Sequence, residues 1–215
     1  MATYKEIRVE HIWNKIIVSR GVYYYSQLKL QKESLATIDA FDVLIYLAAK
    51  SYAPATFDET ANFYYTNVFG TLNVMRRCRK YQVKIFRPFN IYGIGQRDHF
   101  LIQIILNQAK SDRTEFMDSR PKRDFIYIDD IVDAYVKAIN YSIKGVEVFN
   151  LGSGISTSIK EVTEIISKYI NEDFKVVFSE ERRKNEVLET VADIKKVRNS
   201  LNWKPLVSIE DGISL

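Results

Sequence analysis

From Lys15 onward the chain alternates short apolar runs with longer amphipathic stretches, and this alternation restricts its fold more than any single motif does. Runs suited to strands occupy Lys15 to Ser19, Val22 to Ser26, Val43 to Leu47, Val83 to Arg87, Asp124 to Tyr127, Glu147 to Leu151 and Lys175 to Phe178. Helical periodicity covers Lys32 to Asp39, Asp58 to Tyr81, Asp98 to Ser111, Asp130 to Tyr141, Ser158 to Ile170, Ile194 to Leu201 and Ile209 to Leu215. Strands separated by helices need crossover connections, so the pattern predicts an α/β fold with a mainly parallel sheet covered by helices. Ligands of such sheets bind beyond the C-terminal ends of the strands, where loops and helix N-termini converge.

Composition narrows the function classes. With 215 residues, 47% hydrophobic and 13% aromatic, the chain can bury the core of one large domain or two small interlocked ones. A single cysteine, Cys78, and two histidines, His11 and His99, with no paired spacing, argue against a disulfide framework and against any metal site. Cys78 reads as packing. The net charge of +4 is modest, and the densest basic cluster (Arg76, Arg77, Arg79, Lys80) closes a helix, where cations suit the macrodipole, so no nucleic-acid partner is expected. No apolar run reaches a membrane span and the first twenty residues lack a signal-peptide block, so a soluble cytoplasmic protein is expected.

Several local patterns carry two readings each. Leu47-Ala48-Ala49 ends a strand on small residues that would admit a flat cofactor, or simply close helix packing. Gly152-Ser153-Gly154 follows another strand and offers either a structural turn or free backbone N–H groups for an anion. Gly93-Ile94-Gly95 is a similar turn, and neither extends to a full Gly-x-Gly-x-x-Gly pattern. Thr157-Ser158-Ile159-Lys160-Glu161 has the spacing of a helix capping box, and Asp129 is placed to cap the helix after strand 124–128. Arg123, just ahead of that strand, could fork onto a diphosphate or pair with Asp124 or Asp129. Arg183, within Glu181-Arg182-Arg183-Lys184-Asn185-Glu186, is a second cationic candidate in what is otherwise a solvated loop.

Taken in order, six segments resemble the extended short-chain dehydrogenase/reductase family, the NAD-dependent nucleotide-sugar epimerases and dehydratases. They are Asp42 to Ala49 with Asn67 to Val74, Arg87-Pro88-Phe89-Asn90-Ile91-Tyr92-Gly93-Ile94-Gly95-Gln96, Arg123 to Asp130, Phe149 to Gly154, Ala192-Asp193, and Leu201-Asn202-Trp203-Lys204-Pro205. The resemblance implies an incomplete Rossmann-like parallel sheet with a smaller C-terminal substrate-binding domain. Residues 1–91 would be the remnant of the NAD-binding domain, residues 92–215 the nucleotide-sugar region, and 124–151 would return to the first sheet. It further implies that Ala48 and Ala49 line an NAD site, with Gln27 near the adenine. Asn90 would contact a nucleoside-diphosphate sugar, and Arg123 and Arg183 would hold its diphosphate. A homodimer through the helix from Asp58 to Tyr81 is also suggested.

The chemistry of that family needs a glycine-rich first turn and a Tyr-x-x-x-Lys pair, whose lysine lowers the tyrosine pKa while NAD takes hydride. The first twenty residues contain no glycine, and Lys84 runs directly into Ile85-Phe86-Arg87-Pro88 where the catalytic strand and helix would stand. Tyr25 with Lys29 and Tyr46 with Lys50 match the spacing. Tyr46, however, falls in a strand, and Tyr23-Tyr24-Tyr25 favours one. Tyr25 and Lys29 are the remaining catalytic candidates. The sequence therefore predicts a nucleotide-sugar enzyme by ancestry, catalytically incomplete, or else a non-catalytic module or fragment binding a sugar nucleotide or a protein.

Overall fold

A computed structural model describes residues 16–18, 44–46, 57–78, 80–110, 113–116, 118–170, 174–182 and 186–215. The chain divides into two compact units, Met1–Val83 and Lys84–Leu215.

In the first unit, β1 (Ile16–Val18) and β2 (Leu44–Tyr46) fall inside the expected strands and pair antiparallel, with Ile17 opposite Ile45. This pair departs from the parallel pattern. Tyr46 is extended, as its apolar neighbours dictate. The expected helix at Asp58 to Tyr81 forms as α1 (Phe57–Tyr64), a π-wound stretch Tyr65–Gly70, and α2 (Thr71–Cys78). Val74 and Cys78, one turn apart, are buried, so Cys78 does pack inward. The opposite side leaves Tyr64, Tyr65, Val68, Phe69 and Leu72 exposed. The expected strand at Val22 to Ser26 and helix at Lys32 to Asp39 lie outside the described residues.

The second unit is organised around one central strand. Its elements are β3 (Val83–Pro88), β4 (Asn90–Tyr92), α3 (Leu101–Gln108), β5 (Arg113–Phe116), β6 (Lys122–Tyr127), α4 (Ile128–Ile139), β7 (Val146–Leu151), β8 (Ser156–Ser158), α5 (Ile159–Ile170), β9 (Lys175–Phe178), β10 (Glu189–Thr190), α6 (Lys195–Leu201) and α7 (Ile209–Ser214). β6 runs parallel to β4 and β10 and antiparallel to β8; β5 pairs parallel with β9, and β3 pairs with β7. β3 passes through Lys84-Ile85 without a break.

Successive residues of β6 point to opposite faces and so feed two cores. Phe125 and Tyr127 pack with Tyr92, with Ile102 and Ile105 of α3, with Val162 and Ile166 of α5, and with Ile213 of α7. Ile126 packs on the other face with Ile131, Ala134 and Ala138 of α4, with Phe149 and Leu151 of β7, and with Val197, Leu201 and Trp203. Helices thus cover both faces of β6, as the alternation requires.

The cap positions show which polar residues shape this frame. Ser158 and Glu161 close the expected capping box: the Glu161 N–H donates to Ser158 Oγ at 3.1 Å, and the Ser158 N–H donates to Glu161 Oε2 at 2.6 Å. Asp129 does not cap α4, because the helix already begins at Ile128 and places Asp129 in its exposed first turn. The buried neighbour does the work: Asp130 accepts the N–H groups of Leu206 at 2.9 Å and Val207 at 3.1 Å. Trp203 Nε1–H donates to the Asp130 carbonyl at 3.0 Å, after Asn202 ends α6 in the left-handed conformation at φ 47°. The Leu-Asn-Trp-Lys-Pro segment therefore docks the C-terminal turn onto α4.

Candidate functional site

Arg123 is the second residue of β6, one step into the strand and not ahead of it. Residues paired across neighbouring strands share a face. Register puts Thr157 of β8 and Thr190 of β10 opposite Arg123, and Asn90 of β4 opposite Phe125. Arg123, Thr157, Thr190 and Asn90 therefore lie on one face, with Asn90 roughly 8 Å from Arg123 by strand spacing and rise. This end of the face is open: Asn90 is exposed and the other three are half-buried, whereas Phe125 and Tyr127 farther along are in the core. Neither threonine hydroxyl has a hydrogen-bond partner among the described residues. Asn90 Nδ2 donates to the Asp124 carbonyl at 3.0 Å, which fixes the amide at the strand edge.

The guanidinium is held from one side. Its Nη1 donates to the carbonyls of Lys122 at 2.9 Å and Val187 at 2.7 Å, and its Nη2 donates to Glu186 Oε1. The expected alternatives, Asp124 and Asp129, are not its partners. Asp124 points to the opposite face and is fully buried. Its Oδ1 accepts the Ser153 N–H and hydroxyl, each at 2.7 Å, while Oδ2 accepts the N–H groups of Gly154 and Ala192, each at 3.0 Å. This settles the two readings of the glycine turn in favour of structure, since the N–H groups that could have met an anion are taken by Asp124. Gly152 has no room for a side chain, because a Cβ there would lie 2.6 Å from Asp124 Oδ2. Gly93 is likewise structural: its φ is 135°, and a Cβ would meet Ile128 at 2.8 Å.

Asn90 and Arg123 both stand at the beginnings of their strands, not at the C-terminal ends where the sheet pattern places a ligand. A groove of about 540 Å³ lies elsewhere, between α5 and β9, and is lined by residues including Lys160, Thr163, Lys168 and Phe174. Tyr25, Gln27, Lys29, Ala48, Ala49 and Arg183 lie outside the described residues. Among the described residues, no group of three His, Cys, Asp or Glu could hold a metal, and no helix is long and apolar enough to cross a membrane. Thr157, Thr190 and Glu186 were not foreseen. Only strand register brings the threonines beside Arg123, and nothing in a single sequence encodes that register.

A sheet strand covered by helices on both faces, with parallel neighbours, places this protein in the Rossmann-like α/β class. The family model described as GDP-mannose 4,6 dehydratase matches residues 82–215, and that of the NAD dependent epimerase/dehydratase family matches residues 24–86. The chain belongs to this family of NAD-dependent nucleotide-sugar epimerases and dehydratases.

The dTDP-4-dehydro-6-deoxyglucose reductase of Escherichia coli is 35% identical over 133 residues, 59% of this chain and 41% of that protein. The chain spans less than half the length of that and similar curated relatives. Among solved structures, RMD from Pseudomonas aeruginosa complexed with NADPH aligns at a TM-score of 0.75 with 20% identity, covering 88% of this chain and 85% of that one. The UDP-glucose 4-epimerase of Thermotoga maritima with UDP-glucose aligns at 0.74 with 19% identity, covering 92% and 84%. At these identities the two structures speak for the fold.

Proposed function

We propose that this chain binds a nucleoside-diphosphate sugar through Arg123, and that it derives from an NAD-dependent epimerase or dehydratase without being able to complete that chemistry alone. The observation that carries the reading is the open sheet face on which Arg123, Thr157, Thr190 and Asn90 converge. A guanidinium with two N–H groups that have no partner among the described residues, flanked by two hydroxyls, suits the adjacent oxygens of a diphosphate. Asn90 is within reach of the attached sugar. Relatives crystallised with NADPH and with UDP-glucose support the ligand classes. In a complete site NAD would take a hydride from the sugar and return it. Ala48, Ala49 and Gln27 would line its pocket, and Arg183 would add a second charge on the diphosphate.

Catalytic incompleteness rests on the direct Lys84-Ile85 connection inside β3, which leaves no strand and helix between them for a Tyr-x-x-x-Lys pair. Calorimetry with UDP, UDP-glucose and NAD tests the binding. UDP binding that Arg123→Ala abolishes is the expected result, and failure of every nucleoside diphosphate to bind overturns the proposal. Turnover of UDP-glucose or dTDP-glucose with NAD, at the rate of an intact enzyme, would overturn the incompleteness.

A protein-binding module is the second reading, and one observation favours it. Tyr64, Tyr65, Val68, Phe69 and Leu72 form an exposed apolar stripe along α1, the π-wound stretch and α2, with the Tyr65 and Phe69 rings 5.5 Å apart. A second copy of the chain is the partner we assign to it, giving a homodimer.

A further inference from the structure

We infer that Glu186 is a built-in competitor for Arg123, whose carboxylate must leave the guanidinium before an anionic ligand can take full hold. This rests on the reading of Arg123 as the diphosphate grip. Of the five N–H groups of Arg123, both on Nη1 are committed to the carbonyls of Lys122 and Val187, and one on Nη2 to Glu186. The Nε–H and the second Nη2–H have no partner among the described residues. The two carbonyl bonds orient the guanidinium plane from the side of β10. They oppose an anion only through the partial charge of a carbonyl oxygen, far less than a full carboxylate charge would.

Glu186 is different. It is the only carboxylate bonded to Arg123 among the described residues, and both side chains are about one-fifth exposed, at 22% and 23%. A diphosphate approaching the remaining N–H groups meets a negative charge within a few ångströms, at a site where water screens incompletely. Glu186 is also lightly tethered: it precedes the short strand β10 and, among the described residues, has no hydrogen bond other than the one to Arg123, whereas Asp124 on the opposite face is locked by four donors. Ligand binding is thus an exchange of one anion for another on Arg123. Affinity reports the difference between them, and an unoccupied site keeps its cation neutralised.

Removing the charge of Glu186 while keeping its shape should therefore tighten anion binding. The test compares wild type, Glu186→Gln, Arg123→Met and the double variant by calorimetry, using inorganic pyrophosphate and UDP as separate probes, with thermal melts to establish that each variant is folded. Glu186→Gln is expected to bind pyrophosphate about tenfold more tightly than wild type, the size of one close but partly screened charge interaction. Arg123→Met is expected to erase that gain in the double variant. Unchanged or weaker pyrophosphate binding by folded Glu186→Gln would overturn the competitor role and make Glu186 a positioning residue for Arg123. A pyrophosphate gain with UDP binding no tighter than pyrophosphate would leave the competitor standing and sink the nucleotide-sugar reading. Arg123-dependent UDP binding with no gain in Glu186→Gln would do the reverse.

Discussion

The carboxylate of Asp124 receives the backbone N–H of Ala192 at 3.0 Å across 68 residues of chain, and both groups are buried. The same carboxylate collects Ser153 and Gly154, so three segments that carry the family resemblance meet on one side chain directly behind Arg123.

Replacing Asp124 by Asn should be strongly destabilising. Oδ1 accepts only from Ser153, and Oδ2 only from Gly154 and Ala192, so whichever position the amide NH₂ takes faces N–H donors. Loss of buried, charge-assisted bonds of this kind costs about 3 kcal/mol. Urea denaturation should show a lower midpoint at an unchanged slope. A midpoint equal to wild type would contradict the clasp.

Acid should weaken the start of α5. The Ser158 hydroxyl, and then its backbone N–H, hold the Glu161 carboxyl below its ordinary value of 4.5. The folded-state value is depressed, so the box contributes stability above the unfolded value and loses it as pH falls through the lower folded one. Glu161→Gln should cost about 0.5–1 kcal/mol at neutral pH. That difference should shrink below pH 4.5, as measured by paired melts across the range.

Thr157→Val and Thr190→Val preserve β-branched shape on the strands while deleting the two hydroxyls beside Arg123. Each should weaken UDP binding by about two- to tenfold, the worth of one net hydrogen bond. Because neither hydroxyl has a partner within the described residues, melting should be unaffected. An equal loss of affinity and of stability would mean that the hydroxyls serve the sheet and not the ligand.

Phe69→Glu places a charge in the middle of the exposed stripe on the first unit. Light scattering after gel filtration should show a dimer for the wild type and a monomer for the variant. A wild type that is monomeric at all concentrations would remove the homodimer and leave the stripe for another partner.

Much of the frame was legible from local chemistry. The strands at Val83, Glu147 and Lys175 and the helices ending at Ile170 and Leu201 follow from runs whose period and caps agree. The Ser158–Glu161 box is visible in four residues because both partners lie within one turn. Short elements were not legible. β4, β8 and β10 are two or three residues long, and they are strands only because β6 supplies their hydrogen bonds. Spacing alone points to Asp129 as a cap, yet the start of α4 at Ile128 gives the buried role to Asp130, whose backbone partners lie 76 and 77 residues away.

By itself, then, the sequence determined the alternation of strands and helices and the kinship, because these depend on residues close together in the chain. Only the tertiary structure decided what surrounds Arg123. The register of β6 against β8 and β10 brought Thr157 and Thr190 to its sides, and the approach of β10 set Glu186 against its guanidinium. Register fixes which side chains share a face, and it is set by packing over the whole sheet, which no local run of residues contains.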